Sequence, residues 1–330
     1  MKLADLVTPA LVVERDLLDA NLAKMARELP GTRLRPHVKA FKTTALARRM
    51  HALGHTGFTC ATVREVEGMA AAGLGNDLLL ANEVLDCRRL GAIDNARVTV
   101  AVDSEITVDA AVAGGVREAV IDVNVGLPRC GIDPSGAGAL ADYARSKGLG
   151  VRGVMGYEGH VMLVEDREEK RRQVEECMSL LLKASADVGG DLVSAGGTGT
   201  YDLNTWANEI QAGSYCLMDT TYAHAHAPFQ QALTVLATII SANPAGWFVA
   251  DLGLKALGMD HGNPTIEGAT VWYCADEHTV FSAEGGSFAV GDRIRVIPSH
   301  IDPTVALHEM MHLVEGEDVL ESWSVDLRGW

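Results

Sequence analysis

The chain has 330 residues, is 48% hydrophobic and carries a net charge of −16, which suits a barrel-sized domain with a smaller companion. Partners that call for a basic footprint, nucleic acid and anionic membrane, are excluded by that balance. No apolar run reaches transmembrane length and residues 1 to 5 hold no apolar signal core, so no membrane association and a cytoplasmic location are expected.

In chain order, Ala10 to Val13 read as a strand. Residues 16 to 28 read as a helix, with Leu17, Leu18, Leu22 and Met25 at helical spacing and Asp16 as its cap. Strands are then expected at 33–38, 56–61, 77–81, 97–102, 119–125, 150–157, 191–195 and 208–212. Helices are expected at 43–53, 62–73, 84–91, 104–113, 136–147 and 166–187, with a short one near 201–207. Gly54, Gly75, Gly115, Gly148 and Gly190 fall where helices end. Eight βα units predict an α/β fold, a closed (β/α)8 TIM-type barrel over residues 14–218. After Met218 the pattern changes to short β-branched runs at 232–240, 247–251, 269–274 and 292–297. They predict an all-β domain over 219–330, joined by residues 1–13. The six cysteines form no Cys-x-x-Cys and lie mostly in apolar stretches, as reduced buried thiols do.

A barrel gathers its strand ends at one mouth. The first predicted strand ends in Arg35-Pro36-His37-Val38-Lys39-Ala40-Phe41-Lys42. Pro36 biases Arg35 toward extended backbone, and strand alternation sets Lys39 opposite Val38. Other strand ends carry Asn82, Arg129, Tyr157, the run Gly196-Gly197-Thr198-Gly199-Thr200, and Gly213-Ser214-Tyr215. Backbone N–H groups at Gly197 and hydroxyls such as that of Thr198 suit a phosphate, which barrels often bind after strands seven and eight. His160 is either a general base or a loop histidine.

In Pro298-Ser299-His300-Ile301-Asp302-Pro303-Thr304, an extended backbone would put His300 and Asp302 on one face, as half of a divalent-metal site. Just downstream, His308-Glu309-Met310-Met311-His312 fits a metalloprotease pattern that needs a helix. In a strand its histidines stand about 13 Å apart, so it is read as a decoy.

Arg-Pro-His-x-Lys-x-x-Lys at 35–42, Val-Gly-x-x-Arg-x-Gly at 125–131 and His-x-Asp at 300–302 resemble the motifs of the D-threonine aldolase and eukaryotic-type D-serine dehydratase family. That family has the alanine-racemase fold (fold type III). The resemblance runs from about Thr8-Pro9 to the end and takes in Asp251 to Lys255, Glu277-His278 and Trp323 to Gly329. It implies pyridoxal 5′-phosphate on Lys39 as the Schiff-base lysine. Arg129 would face the cofactor's phenolic oxygen, Tyr157 its ring, and Gly197, Thr198, Gly213, Ser214 and Tyr215 its phosphate.

In this family the dehydratases carry His-x-Cys and bind zinc, and the aldolases carry His-x-Asp with manganese or a similar ion. Asp302 therefore implies an aldolase that cleaves a D-3-hydroxy amino acid, such as D-threonine, to glycine and an aldehyde. His160 is a candidate base for the hydroxyl proton. Manganese is the expected metal, with zinc or magnesium as alternatives, and a homodimer is the expected assembly. D-serine-type dehydration is the second reading; amino acid racemisation and a non-catalytic cofactor-binding protein follow. Two departures bear on substrate contacts: Phe41 where the family often has His, and Met155 where the aldolases tend to have Gln.

Overall fold

The apolar run Ala10 to Val13 becomes β1 (Ala10–Glu14), and α1 (Arg15–Glu28) follows directly, with Asp16 inside its first turn. The computed structural model describes residues 1–225, 227–285 and 287–330. The chain packs as two units. One comprises Met1–Ala23, Ala40–Ala45 and Ser214–Arg328; the other comprises Lys24–Lys39, Leu46–Gly213 and Gly329–Trp330.

The second unit is built on seven parallel strands that neighbour one another in sequence order: β2 (Gly57–Cys60), β3 (Asp77–Leu80), β4 (Val98–Val102), β5 (Glu118–Asp122), β6 (Gly150–Gly156), β7 (Leu192–Ala195) and β8 (Glu209–Ile210). Helices α2 (Thr44–Ala52), α3 (Val63–Ala71), α4 (Arg88–Gly91), α5 (Glu105–Ala113), α6 (Ala137–Ser146) and α7 (Arg167–Val188) alternate with them along the chain. Local chemistry starts these helices. Thr62 and Glu65 form a reciprocal capping box on α3, and Asp166 accepts the Glu169 N–H at the head of α7.

Residues 33–38 do not make the regular strand expected of them. Short 3-10 turns at Gly31–Arg33 and Val38–Ala40 bracket single parallel bridges from Leu34 to Ile210 and from His37 to Thr59. Pro36 has no N–H to give, which breaks the ladder. The segment still spans β8 and β2: Arg35 N donates to Ile210 O (2.9 Å), His37 N to Ala212 O (3.2 Å), and Thr59 N to Pro36 O (3.0 Å). The parallel sheet thereby closes into a TIM-like barrel. Leu79, Ala101, Val120 and Met155 pack together as a buried cluster. Met155 is thus a packing residue of the parallel sheet.

The short helix expected at 201–207 is also absent, and turns replace it. Asn204 spends its amide oxygen on the Ala207 N–H and its amide nitrogen on Glu158, bonds that compete with a helix.

In the first unit, α8 (Thr220–His224) precedes β9 (Leu233–Ala242), β10 (Trp247–Ala250), β11 (Thr265–Ile266), β12 (Ala269–Cys274), β13 (Thr279–Ala283) and β14 (Arg293–Ile297). Then come α9 (Ile301–Leu307), β15 (Met310–Glu315) and β16 (Asp318–Ser324). Strands β9, β10, β13, β12, β11 and β14 pair in that order and return to β9, an antiparallel β-barrel. The ten-residue β9 is long enough to pair β1 through Leu233–Leu236 and β10 nearer its other end. β1 then carries β15 in parallel, and β16 follows antiparallel. Leu3, Leu6, Ala10, Val12, Leu236 and Val314 form a core beneath these strands. All six cysteines are free thiols, and no helix of the described residues is long and apolar enough to cross a membrane.

Candidate active site

Lys39 lies in the 3-10 turn Val38–Ala40, not on a strand. Three residues per turn set neighbouring side chains about 120° apart. Val38 is wholly buried, and Lys39 is half-buried. The loop after β5 carries Arg129, which is exposed and places its guanidinium 5.4 Å from the centroid of the Tyr157 ring, within cation–π range. Gly159 makes room for that ring, because a Cβ there would stand 2.5 Å from Tyr157 Cε1.

The run after β7 is held by a residue that no motif had marked. Glu158 is fully buried. Its carboxylate accepts the Gly196 N–H (3.0 Å), the Thr200 hydroxyl (2.9 Å) and the Asn204 amide (3.1 Å). Gly196 takes φ +78°, and a Cβ on Gly197 would meet Met162 Sδ at 3.0 Å. Thr198 and Gly213 are buried. Glu158 stands directly after Tyr157, and only its fixed position reveals what it holds.

His160 is exposed, its Nε2 lies 3.8 Å from Cys177 Sγ, and its ring covers Gly126. A cavity of about 360 Å³ opens beside it, lined by Val125, Gly126 and α7 residues. Burial pushes the Cys177 thiol up to about 12, so it stays neutral beside the imidazole. At the end of β5, burial and then the neighbouring Glu83 carboxylate raise Asp122 well above the usual carboxylate range, against the opposing pull of Arg129. This acid pair was also missed in the sequence.

A pyridoxal phosphate needs an amine, N–H donors for its phosphate and a flat partner for its ring. Lys39 offers an amine, Tyr157 a ring and the glycine run backbone N–H groups, of which those of Gly196 and Gly197 meet Glu158 and Thr200 here; these residue types fit the cofactor.

Ser214 and Tyr215 belong to the first unit, in a 3-10 turn spanning Ser214–Cys216. Tyr215 is wholly buried against Phe229, with ring centroids 5.5 Å apart. Its side chain therefore offers no surface to a phosphate, so Tyr215 could serve the role expected of Gly-Ser-Tyr only through its backbone. Phe41 is likewise a fully buried core side chain.

His300 and Asp302 are not on an extended segment. His300 is the N-cap of α9, and Asp302 lies in its first turn, where Pro303 is tolerated because its missing N–H has no helical acceptor there. Buried Asp219 fixes this helix start, accepting Ile301 N–H (3.0 Å) through one oxygen and Tyr222 N–H (2.9 Å) through the other. Burial raises its pKa. Ser214 Oγ lies 3.5 Å from Asp302 Oδ1.

Two further residues join His300. Asp260 Oδ2 lies 2.8 Å from His300 Nδ1, and the His261 ring stacks on His300 at 4.1 Å and 5°. Ligand atoms of Asp260, His261 and His300 all fall within 4.8 Å of one another. Burial works to raise Asp260, but hydrogen bonding to His300 holds it below its ordinary value. Asp302 stands outside this trio. His300 at the N-cap and Asp302 in the first turn of the same helix offer nitrogen and oxygen donors of the kind that suit a first-row divalent ion.

The protease-like histidines do not converge. His308 ends α9 and meets Ala256 O through Nε2 (2.9 Å), while His312 sits on β15 with Nδ1 at 2.8 Å from Ser322 Oγ. The motif lacks its helix.

Among known families, the one described as "Alanine racemase, N-terminal domain" matches residues 13–221, and "Putative serine dehydratase domain" matches residues 232–314. A D-threonine aldolase from Arthrobacter sp is 32% identical over 99% of this chain and 94% of its own length. A 3-hydroxy-D-aspartate aldolase from Paracoccus denitrificans (strain Pd 1222) is 28% identical over 99% of this chain and 93% of its own. The crystal structure of D-threonine aldolase from Filomicrobium marinum superposes with a TM-score of 0.94 at 33% identity, covering 99% of this chain and 97% of that one. The chain belongs to the D-threonine aldolase and D-serine dehydratase family of alanine-racemase-fold enzymes, and is a pyridoxal-phosphate-dependent lyase.

Proposed function

We propose that this enzyme cleaves D-3-hydroxy amino acids, D-threonine among them, to glycine and an aldehyde with the help of a divalent metal, manganese or a similar ion. The observation that carries the reading is Asp302: a carboxylate, not a thiol, stands two residues after His300, and it favours a harder ion than zinc. Likeness to aldolases over the whole chain supports it.

Lys39 supplies the amine that anchors the cofactor. The run pinned by Glu158 would cradle its phosphate with Gly197 and Thr198, the Gly197 N–H meeting Thr200 Oγ1 at 3.3 Å in this structure, and Gly213 and Ser214 would flank that role. Arg129 places positive charge beside the Tyr157 ring. Pyridoxal phosphate, when bound, supplies the electron sink that Cα–Cβ cleavage needs. His300 and Asp302 would hold the metal, which would supply Lewis acidity for the 3-hydroxyl. His160 is the base for that hydroxyl proton, with the neutral Cys177 thiol beside its Nε2. Six free thiols suit a reducing compartment such as the cytoplasm, and a homodimer is the assembly we propose.

Dehydration is the second reading, favoured by the match of residues 232–314 to the serine dehydratase domain. Incubation with pyridoxal phosphate, Mn²⁺ and D-threonine separates the two. Glycine with acetaldehyde is expected; 2-oxobutyrate with ammonia would make the enzyme a dehydratase.

A further inference from the structure

We propose that Asp260 and His261 are positioning residues that set the His300 imidazole for the metal. The inference rests on the proposed reading of His300 and Asp302 as metal ligands.

A metal-binding imidazole needs one nitrogen free of its proton and a ring that does not rotate. Asp260 Oδ2 at 2.8 Å accepts the proton on His300 Nδ1, which leaves the Nε2 lone pair for a cation. The His261 ring, nearly parallel at 4.1 Å, blocks rotation from one side. Thr221 Oγ1 donates to Ser299 O (2.6 Å) and accepts from His261 Nδ1 (3.3 Å), so the stacking ring is itself anchored.

The loop that carries Asp260 and His261 is fastened to the His300 segment at several points. Gly258 bridges His300 in antiparallel fashion. Gly258 N donates to Thr304 Oγ1 (2.9 Å), which donates to His300 O (2.7 Å). Ser299 Oγ lies 3.2 Å from Gly258 O and 2.8 Å from Gly262 O. A Cβ at Gly258 would stand 2.3 Å from Pro303 Cγ, so only glycine permits the approach. These ties make the Asp260–His300 contact a built feature, distinct from a chance pair on an open surface, although Asp260 itself is exposed.

The test is Mn²⁺ binding to the purified full chain, read from the electron paramagnetic resonance of free Mn²⁺, with no turnover needed. His300→Ala and Asp302→Ala should abolish binding. Asp260→Ala should weaken it about 10- to 100-fold, as loss of a carboxylate behind a ligating histidine does. Asp260→Asn, whose amide oxygen still accepts the Nδ1 proton, should recover part of the loss. His261→Phe keeps the flat ring but loses the Thr221 anchor, so it should weaken Mn²⁺ binding by less than Asp260→Ala does. In ¹⁵N spectra of the metal-free protein, the Nδ1–H tautomer of His300 should be lost in Asp260→Ala.

Unchanged Mn²⁺ affinity in Asp260→Ala overturns the inference alone. If His261→Phe fails as completely as His300→Ala while Asp302→Ala binds normally, then Asp260, His261 and His300 are themselves the ligands, and the positioning assignment is wrong. If the parent protein binds no Mn²⁺, the metal reading beneath the inference falls with it.

Discussion

The buried Glu158 carboxylate receives the side-chain amide of Asn204 at 3.1 Å, so the residue directly after Tyr157 fixes the run that follows β7. The same carboxylate holds Gly196 and Thr200. Removing it leaves the Gly196 N–H without that acceptor, a loss of about 1–3 kcal/mol, and leaves Thr200 and Asn204 only the weak thioether acceptors of Met162 and Met178. Glu158→Ala should weaken pyridoxal phosphate binding at least about tenfold, seen as loss of cofactor absorbance on dialysis. Retention of the cofactor at parent affinity would show that the run holds its shape without Glu158.

Gly159→Ala tests the Arg129–Tyr157 arrangement. The new Cβ would stand 2.5 Å from Tyr157 Cε1, far inside contact distance, so the ring must move away. The visible spectrum of the bound cofactor should shift, with turnover falling more than cofactor affinity. An unchanged spectrum would remove Tyr157 from the cofactor's surroundings.

His160→Asn removes the proposed base and preserves polarity. General bases contribute about 10²- to 10⁴-fold, so kcat should fall in that range while cofactor loading and Mn²⁺ binding remain. Activity within a few-fold of the parent would assign the proton transfer elsewhere.

Within the second unit, buried Arg35 bonds Glu209 and Asp77 at 2.7 Å each, and Arg152 also grips Asp77, at 2.6 Å. Breaking one partner out of a buried ion pair costs about 3–5 kcal/mol, so Arg35→Ala should lower the urea midpoint strongly. Burial alone would raise Asp77, but hydrogen bonds and charge from Arg152 and Arg35 hold it at about 2. Its folded pKa is therefore depressed. The stability it contributes is present above its ordinary value of 3.8 and is lost as pH falls toward about 2. Acid unfolding monitored by circular dichroism should show Asp77→Asn with a weaker pH dependence in that window.

Met155→Gln tests a departure from the aldolase pattern. Met155 packs with Leu79, Ala101 and Val120. An amide buried there without partners costs about 1–3 kcal/mol. The urea midpoint should fall. An unchanged midpoint would mean the cluster offers a partner or opens to water.

The alternation of strands and helices, the glycines that end the helices and the change of pattern after Met218 were legible in the chain, because each is a local property with its own period. Lys39, the glycine run and the His300–Asp302 pair stood out for the same reason, as short motifs. Their local shapes were not. Pro36 interrupts the first strand, and His300 caps a helix that begins at Ile301, an outcome that depends on buried Asp219, 82 residues away. Tyr215 sits in a motif suited to phosphate, yet lies in the core; burial is decided by what packs around a residue, and Gly-Ser-Tyr is silent about that. Glu158 and Asp260 carry no motif. One acts on residues up to 46 positions away and the other on a histidine 40 away. Sequence by itself determined the periodic elements and the local chemistry. Only the tertiary structure decided which distant carboxylate meets which donor, because a hydrogen bond depends on separation in space and not along the chain.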